Sequence, residues 1–296
     1  MKSGYVAIIG RPNVGKSTLM NQLIGQKIAI TANKPQTTRN RIRTVYTDRR
    51  GQIVFLDTPG IHKAETKLGT YMVDAALKTI PEADVVLLIV EPTPRIGRGE
   101  QAVIDLLKPL EKPVILVVNK IDRVDPDTVR ETSEAYQALM HFDTVLKVSA
   151  LHNSGVSSIL DVLFSRFKEG PMFFDEDTVT DQPMRQIVAE IVREKALRLL
   201  KEEIPHGIAV VVDSMKQRKS GIWDIEATIT TERESHKGII IGKQGQMLKE
   251  IGREARIDSE KMLEAKVNLK LWVKVRENWK DNDLWLKNFG LYPEDK

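Results

Sequence analysis

Two glycines and a lysine near the start of the chain have the spacing of a phosphate-binding loop. The run Gly10-Arg11-Pro12-Asn13-Val14-Gly15-Lys16-Ser17-Thr18 lies between an apolar stretch at residues 5–9 and an amphipathic stretch that extends to residue 26. Glycines let the backbone curl, so that its N–H groups and the N-terminus of the following helix converge on phosphate oxygens. Lys16 then reaches the outer phosphates, and Ser17 holds Mg²⁺. The sequence therefore predicts a P-loop between a strand and a helix, with the nucleotide still open.

A polar tetrad further along the chain indicates which base is recognised. Asn119-Lys120-Ile121-Asp122 follows the apolar run at residues 114–118. A carboxylate such as Asp122 accepts two hydrogen bonds from the N1–H and the 2-amino group of guanine, whereas adenine has neither donor. A site built for such bonds rejects a ligand that lacks them by roughly 10⁴ to 10⁵. The tetrad therefore predicts GTP over ATP, with Asn119 and the stem of Lys120 bracing the loop and covering the base.

Two shorter polar turns follow other apolar runs. Asp57-Thr58-Pro59-Gly60 places a carboxylate that acts on Mg²⁺ through its water shell and a Gly60 N–H that senses the γ-phosphate. Ser149-Ala150-Leu151 is expected to touch the base through its backbone N–H groups. Each turn is a weak signal alone, since these residue types are common in turns. Both gain weight because functional loops lie at the carboxyl ends of parallel strands.

Composition limits the class of protein. The chain has 296 residues, of which 41% are apolar and 29% charged, enough for two cores. It contains no cysteine, which excludes disulfides and thiolate metal sites and fits a reducing compartment. No apolar run approaches the roughly 20 residues of a membrane span, and we expect a soluble cytoplasmic protein. The net charge of +4 permits a polyanionic partner without requiring one, so a nucleic-acid site must rest on a local patch.

Alternating apolar runs and helical patterns up to residue 168 predict an α/β domain with a mostly parallel sheet. The candidate strands are residues 5–9, 53–57, 85–90, 114–119 and 145–149. Residues 169–183, rich in acidic residues with two prolines and a glycine, are typical of a linker. The predicted organisation is a nucleotide-binding domain at 1–168, a linker at 169–183 and an α+β domain at 184–296.

The second domain carries a glycine-bounded loop between two helical segments. Alternating residues predict half-buried strands near 223–230 and 267–275, and the element order is helix, strand, strand, helix, loop, helix, strand. The loop Gly242-Lys243-Gln244-Gly245 resembles the Gly-x-x-Gly loop of a type II KH domain, whose backbone clamps about four nucleotides of single-stranded nucleic acid. A plain connection between two helices is the alternative.

A local excess of positive charge surrounds this loop. Residues 237–256 contain five basic side chains, Lys237, Lys243, Lys249, Arg253 and Arg256, against two acidic ones, Glu250 and Glu254. We expect RNA phosphates over the loop and bases against an apolar edge. The predicted RNA-binding residues are Lys237, Ile239, Ile240, Ile241, Gly242, Lys243, Gln244, Gly245, Lys249 and Arg253.

These motifs, together with Pro35-Gln36-Thr37-Thr38-Arg39, resemble the guanine-nucleotide motifs of translation-factor-class GTPases. The whole chain resembles the bacterial Era-like GTPases, which carry a C-terminal KH domain. The resemblance implies a first switch at residues 35–39, in which we expect Thr38 rather than Thr37 to close on Mg²⁺ when GTP is bound. It assigns hydrolysis of GTP to GDP and phosphate to Lys16, Thr38, Asp57 and Gly60, and nucleotide contacts to residues 10–18, 57–61, 119–122 and 149–150. It also implies binding of the 3′ end region of 16S rRNA, with a role in 16S rRNA processing and 30S subunit assembly.

One residue departs from Ras-like switches. Ile61 stands where those proteins place the glutamine that orients the attacking water. An apolar side chain cannot do this, so we expect slow unaided hydrolysis. Era-like GTPases with an asparagine at the position of Asn13 resemble a group that recruits K⁺ in place of an arginine finger. This implies that Asn13 is a K⁺ ligand, and a plain loop residue is the equal alternative.

Two other functions remain as alternatives. A GTPase whose second domain serves RNA modification would need a second active site, and the sequence offers neither cysteines nor an evident cluster among its five histidines. A peripheral-membrane or scaffold protein, in which RNA binding is secondary, would want a cationic amphipathic helix or a lipidation signal. We expect a monomer, with contact between the basic face and the inner surface of the cell membrane as a secondary possibility.

Overall fold

Contacts between backbone segments divide the chain into two units. The computed structural model describes residues 1–31, 37–201 and 204–291. Among these, the first unit comprises residues 1–29, 37–65 and 69–181, and the second comprises residues 30–31, 66–68 and the described residues from 182 onward. Each unit has its own sheet and its own hydrophobic core.

The first unit is built on a six-stranded sheet with the strand order β2-β3-β1-β4-β5-β6. All neighbouring pairs are parallel except β2 and β3, which are antiparallel. The strands are β1 Lys2–Ile9, β2 Ile42–Asp48, β3 Gly51–Asp57, β4 Val85–Val90, β5 Val114–Val118 and β6 Thr144–Lys147.

Helices cover both faces of this sheet. They are α1 Lys16–Ile24, α2 Lys67–Thr79, α3 Arg98–Leu107, α4 Pro126–Gln137 and α5 Val156–Arg166. Because successive strand residues point to opposite faces, Val6 and Ile8 pack with residues of α1 and α5, whereas Ala7 and Ile9 pack with residues of α3 and α4. Burial on both faces explains why β4 and β5 are apolar throughout.

The predicted mostly parallel sheet is confirmed, and each of the five candidate strands overlaps a strand of the structure. The sequence analysis missed β2, the antiparallel edge strand, because Arg43, Thr44 and Thr47 interrupt its apolar pattern. Asn119 and Ser149, placed at strand ends by the sequence, lie just beyond β5 and β6 in the connecting loops.

The segment predicted as a linker packs mostly on the first unit. The side-chain oxygen of Gln52 accepts hydrogen bonds from the backbone of Phe173 and Phe174, and the Thr180 hydroxyl donates to the Arg43 carbonyl at 2.7 Å. Residues through 181 therefore belong to the first unit, which differs from the predicted boundary at 168. The reason is that this segment satisfies backbone and side-chain groups at the β2–β3 edge of the sheet, which its aperiodic composition does not reveal.

The second unit has the element order expected from its sequence. Its elements are α6 Met184–Leu199, β7 Ala209–Gln217, β8 Trp223–Thr231, α7 Glu234–Ile241, α8 Gln246–Leu263, β9 Val267–Val275 and α9 Asp283–Asn288. Strand β8 is antiparallel to β7 and parallel to β9. Parallel strands need a crossover connection, which α7, the glycine loop and α8 supply. In the part of the chain that the structure describes, no helix is long and apolar enough to cross a membrane.

Candidate functional site

The loop between β1 and α1 has the backbone conformation that its glycines allow. Gly15 directly precedes α1 with φ of 100°, and a Cβ there would lie 2.3 Å from Asn119 Nδ2, so no larger residue fits. The buried Lys16 side chain donates to the carbonyls of Gly10 at 3.2 Å and Arg11 at 2.9 Å. Burial lowers the pKa of Lys16 to about 8, opposed by the nearby Asp57 carboxylate. The ammonium group is thus held inside the loop where phosphate oxygens would converge.

Three side-chain oxygens meet at the start of α1. Ser17 Oγ lies 2.9 Å from Thr38 Oγ1 and donates to Asp57 Oδ2 at 3.1 Å. The second oxygen of Asp57 is buried and has no hydrogen-bond partner among the described residues. Burial raises the pKa of Asp57 to about 6, although Lys16 opposes the shift. Hydroxyl and carboxylate oxygens suit a hard cation such as Mg²⁺, and the unpartnered oxygen fits a site completed by the ion and its water shell.

One threonine of the predicted switch lies at this cluster. The Thr38 hydroxyl lies 2.9 Å from Ser17 Oγ, and the role of Thr38 at Mg²⁺ stays a prediction. Pro35 and Gln36, which begin the predicted switch, lie outside the described residues. Among the described residues no group of three or more His, Cys, Asp and Glu side chains could hold a metal ion.

The turn after β3 packs directly on the P-loop. A Cβ at Gly60 would lie 2.5 Å from the backbone nitrogen of Pro12, and the Ile61 N–H donates to the Gly10 carbonyl at 3.2 Å. The Thr58 hydroxyl donates to the Ile8 carbonyl at 2.7 Å inside the core, so this side chain anchors the turn rather than facing a ligand. Ile61 packs against the apolar cluster that includes residues of α3 and α4.

Asn119 braces the base loop against the P-loop. Its Nδ2 donates to the Val14 carbonyl at 2.9 Å, and its Oδ1 accepts from the Ala150 N–H at 2.9 Å. Lys120 donates to the Asn13 carbonyl at 2.6 Å and forms an ion pair with Glu91. The side chains of Asn119 and Lys120 therefore both fix the P-loop to the loop after β5.

Asp122 lies at the end of this loop with its carboxylate accessible. It accepts a hydrogen bond from the Ser149 hydroxyl, which holds the pKa of Asp122 below its usual value, and His152 Nε2 lies 3.9 Å away. The N–H groups of Ser149 and Ala150 donate to the Ser154 carbonyl and to Asn119 Oδ1. These two amides brace the loop, whereas the sequence led us to expect them to touch the base.

The glycine loop of the second unit connects α7 to α8. Gly242 has φ of 73° and Gly245 has φ of 76°, both in the left-handed region. A Cβ at Gly242 would lie 2.7 Å from Met247 Cβ, so close approach as well as conformation requires glycine there. Lys243 and Gln244 are exposed between the two glycines. The loop thus offers its backbone and the exposed Lys243 ammonium group at one surface.

The predicted RNA surface divides into exposed and supporting residues. Lys243 and Lys249 are exposed and make no ion pair among the described residues, whereas Lys237 lies 3.5 Å from Glu234 and Arg253 lies 2.6 Å from Glu250. Ile240 is fully buried in the core of the unit, so it supports the loop and does not offer a surface for bases. Ile239 is 51% exposed and remains available, because helix α7 turns these consecutive isoleucines in different directions.

Glu91 is a residue of the site that the sequence analysis missed. It follows β4 directly, at the same carboxyl edge of the sheet as Asn119, and pairs with Lys120. Its position after an entirely apolar run was the available signal, since polar residues at that edge tend to serve the site.

Comparison with known proteins finds a family match for each of the two domains. A family model described as "50S ribosome-binding GTPase" matches residues 5–120, and one described as "KH domain" matches residues 203–280. The protein called GTPase Era of Ruminiclostridium cellulolyticum is 50% identical over 289 residues, covering 98% of this chain and 97% of its own length. That of Alkaliphilus metalliredigens is 51% identical over 290 residues, covering 98% of each chain.

Two solved structures resemble the whole chain. The crystal structure of Era in complex with MgGDPNP and nucleotides 1506–1542 of 16S ribosomal RNA has a TM-score of 0.95 at 40% identity and covers 99% of this chain and 100% of its own. A single-residue variant of Aquifex aeolicus Era bound to GDP.AlF4⁻ has a TM-score of 0.94 at 40% identity, with the same coverage. Identity near 50% over almost the full length of the relatives, with a P-loop domain followed by a KH domain, shows that the chain belongs to the Era family of GTPases.

Proposed function

We propose that this chain hydrolyses GTP to GDP and phosphate with Mg²⁺ as a switch that controls binding of the 3′ end region of 16S rRNA during rRNA processing and 30S subunit assembly. The observation that carries the proposal is the cluster of Ser17, Thr38 and Asp57 oxygens beside Lys16. When bound, Mg²⁺ neutralises charge on the phosphates. Ser17, Thr38 and Asp57 would hold the ion directly or through water, and Lys16 would contact the outer phosphates.

The base loop supports guanine as the nucleotide base. Asp122 keeps an accessible, ionised carboxylate, which is the acceptor that the N1–H and 2-amino group of guanine require. Asn119 and Lys120 fix this loop to the P-loop, so a base and its phosphates bound to the two loops would have one defined separation. Gly60 lies close to Pro12, and its N–H would donate a hydrogen bond to the γ-phosphate.

The second unit supports RNA as the partner. The Gly242–Gly245 loop has two exposed inner residues, and Lys243 and Lys249 add positive charge free of ion pairs among the described residues. The solved relative at 40% identity holds nucleotides 1506–1542 of 16S rRNA together with MgGDPNP. We therefore propose that the same RNA region is the ligand here.

The test measures affinity for RNA in both nucleotide states. A labelled RNA with the sequence of nucleotides 1506–1542 is titrated with the full chain in MgGDPNP and in MgGDP, beside a scrambled RNA of equal length. We expect tighter binding of the native sequence in the MgGDPNP state, and stimulation of phosphate release by that RNA. Equal affinity in both states would refute the switch, and equal affinity for both RNAs would refute the proposed target.

We also propose that Asn13 contributes to a K⁺ site beside the phosphates. Asn13 is exposed, has a left-handed φ of 67°, and its carbonyl is held by Lys120, which leaves the side chain available. Ile61 cannot orient the attacking water. A cation beside Asn13 would supply positive charge that stabilises the transition state of hydrolysis. The measurement is the rate of phosphate release in KCl against NaCl at equal ionic strength. Equal rates would exclude K⁺.

Three further properties are proposed: the oligomeric state, the location and a membrane contact. We propose a monomer in the cytoplasm, with peripheral contact between the basic face and the inner surface of the cell membrane as a secondary interaction. Light scattering after size-exclusion chromatography measures the mass against 33.5 kDa for one chain. Sedimentation with phosphatidylglycerol vesicles, with neutral vesicles as control, tests the membrane contact, and fractionation of cells tests the location.

A further inference from the structure

A cavity lies beside the P-loop, on the side of α3 and α4. Its walls are P-loop residues 10–14, the end of β4 at residues 88–91, Val103 of α3 and Tyr136 of α4, and we call it the P-loop side cavity. Its volume is about 310 Å³, at the lower end of the range of small-molecule sites. Lys16, Ser17, Asp57 and Asp122 do not line it, so it is separate from the groups assigned to Mg²⁺ and the base.

Tyr136 gives this cavity an unpartnered polar group. The residue is 2% exposed and lines the cavity, yet its hydroxyl makes no hydrogen bond with the described residues. Burial, reinforced by the Glu100 carboxylate, raises the pKa of Tyr136 above its ordinary value, so the hydroxyl stays protonated and can both donate and accept. The hydroxyl opens into the cavity and is not sealed from water, so a bound molecule can replace water as its hydrogen-bond partner.

The charged groups around the cavity are already paired. Arg11 lies 2.7 Å from Glu100, and Glu91 is paired with Lys120. A charged ligand would have to compete with these ion pairs. An uncharged ligand leaves them intact.

The rest of the wall is mixed, with Asn13 and Thr93 as polar residues and three valines that form an apolar part. The side chains of Val14, Val90 and Val103 line the cavity and are each less than 8% exposed. The Asn13 and Val14 carbonyls accept hydrogen bonds from Lys120 and Asn119, which fixes the P-loop backbone in this wall of the cavity. The cavity is therefore shaped before any ligand arrives, which lowers the cost of binding.

We propose that the P-loop side cavity binds a small uncharged molecule that has an apolar body and a hydrogen-bonding group directed at the Tyr136 hydroxyl. The apolar body would pack on the valine side chains, and the hydrogen-bonding group would replace water at the Tyr136 hydroxyl. Phenols and short aromatic amides belong to this class. Binding here would place the ligand in contact with the outer turn of the P-loop.

The test uses two probes of nearly equal size, p-cresol and p-xylene, which differ in the hydroxyl group. Each is titrated into the full chain loaded with MgGDP, and the dissociation constant is measured by NMR with methyl-labelled valine. We expect the signals of Val14, Val90 and Val103 to shift, and p-cresol to bind roughly three- to tenfold more tightly than p-xylene, since one hydrogen bond to the Tyr136 hydroxyl separates them.

Two variants make the test specific. Tyr136→Phe removes only the hydroxyl and should abolish the difference between the two probes, whereas Val103→Phe should fill the cavity and weaken both. Melting temperatures establish that each variant is folded. Equal affinity of the two probes in the original protein, an undiminished preference in Tyr136→Phe, or valine signals that do not move would each overturn the proposal and leave the cavity as a water pocket.

Discussion

Asn119 Nδ2 donates to the carbonyl of Val14 across 2.9 Å, although 105 residues separate them in the chain. The other side-chain atom of Asn119 accepts from the Ala150 N–H at 2.9 Å. The P-loop, the base loop and the loop after β6 therefore share one side chain. A residue predicted to brace a single loop is in fact the joint between three, so the spacing of phosphate and base sites depends on it.

Replacement of Asn119 by alanine should weaken nucleotide binding and also lower the stability of the fold. The change leaves the Val14 carbonyl and the Ala150 N–H without partners in a buried region, at a cost of about 1–3 kcal/mol each. We expect a loss of GDP affinity of roughly tenfold to a hundredfold, measured by titration with a fluorescent GDP analogue. Asn268→Ala, which removes an exposed bond to Asp224 in the second unit, is the matched control. Unchanged GDP affinity in Asn119→Ala would contradict the claim that Asn119 sets the spacing of the phosphate and base sites.

Gly60→Ala tests the contact between the turn after β3 and the P-loop. The new Cβ would lie 2.5 Å from the Pro12 nitrogen, a backbone atom that cannot move aside cheaply. The resulting strain of about 1–3 kcal/mol should distort the part of the site that binds the γ-phosphate. GTP affinity and phosphate release should drop about tenfold or more, and GDP affinity should change less. Gly238→Ala is the control, since its Cβ meets open space in α7 and should leave both nucleotide affinities unaltered.

The spacing of chemical groups was predictable because it is local in the sequence. The P-loop, the base tetrad and the Gly-x-x-Gly loop each consist of consecutive residues next to a strand or helix, so their backbone settings follow from short-range patterns. Burial on both faces made β4 and β5 readable as continuous apolar runs. The choice of Thr38 over Thr37 came from resemblance and stays a prediction, which the contact between Thr38 and Ser17 supports.

What the sequence could not supply depends on contacts between distant segments. The packing of residues 169–181 on the sheet edge arises from hydrogen bonds that no local pattern encodes. Three consecutive isoleucines, Ile239 to Ile241, fit a strand or a helix equally well, and only the helix sends Ile240 into the core. The pairing of Glu91 with Lys120 likewise needs two adjacent strands in register.

Asp122→Asn should change which base the protein binds. The carboxylate accepts from two donors of guanine, and an amide presents a donor of its own where an acceptor is needed. We expect GTP affinity to fall by roughly 10² or more and xanthosine triphosphate to become the better ligand, as measured by competition against a fluorescent GDP analogue. Asp125→Asn, three residues away and engaged in capping α4, should keep the preference for guanine. If both variants bound GTP equally well, Asp122 would not face the base.

The β7–β8 hairpin contains an ion pair whose effect on pH dependence has a definite sign. Arg218, with help from Asn268, holds the pKa of Asp224 to about 2. A carboxyl pKa lower in the folded than in the unfolded chain stabilises the fold at neutral pH, and this stabilisation is lost as pH falls from about 4 through about 2. Arg218→Ala should raise the pKa of Asp224, as measured by carboxyl ¹³C NMR. The difference in the free energy of unfolding between this variant and the original protein should vanish as pH falls to about 2. Lys219→Ala, on the same exposed turn, should leave that pKa in place.

Lys243→Glu should separate RNA binding from nucleotide hydrolysis. Lys243 is exposed between the two glycines and makes no ion pair among the described residues, so its charge is available to phosphate. Reversing that charge should weaken binding of the RNA of nucleotides 1506–1542 about tenfold or more, and should reduce the slope of log affinity against log salt by roughly one or more. Phosphate release without RNA should be unchanged. Lys219→Glu, on the exposed turn between β7 and β8 and without an ion pair among the described residues, is the matched control for charge. A salt slope equal in both variants would place the RNA backbone elsewhere on the second unit.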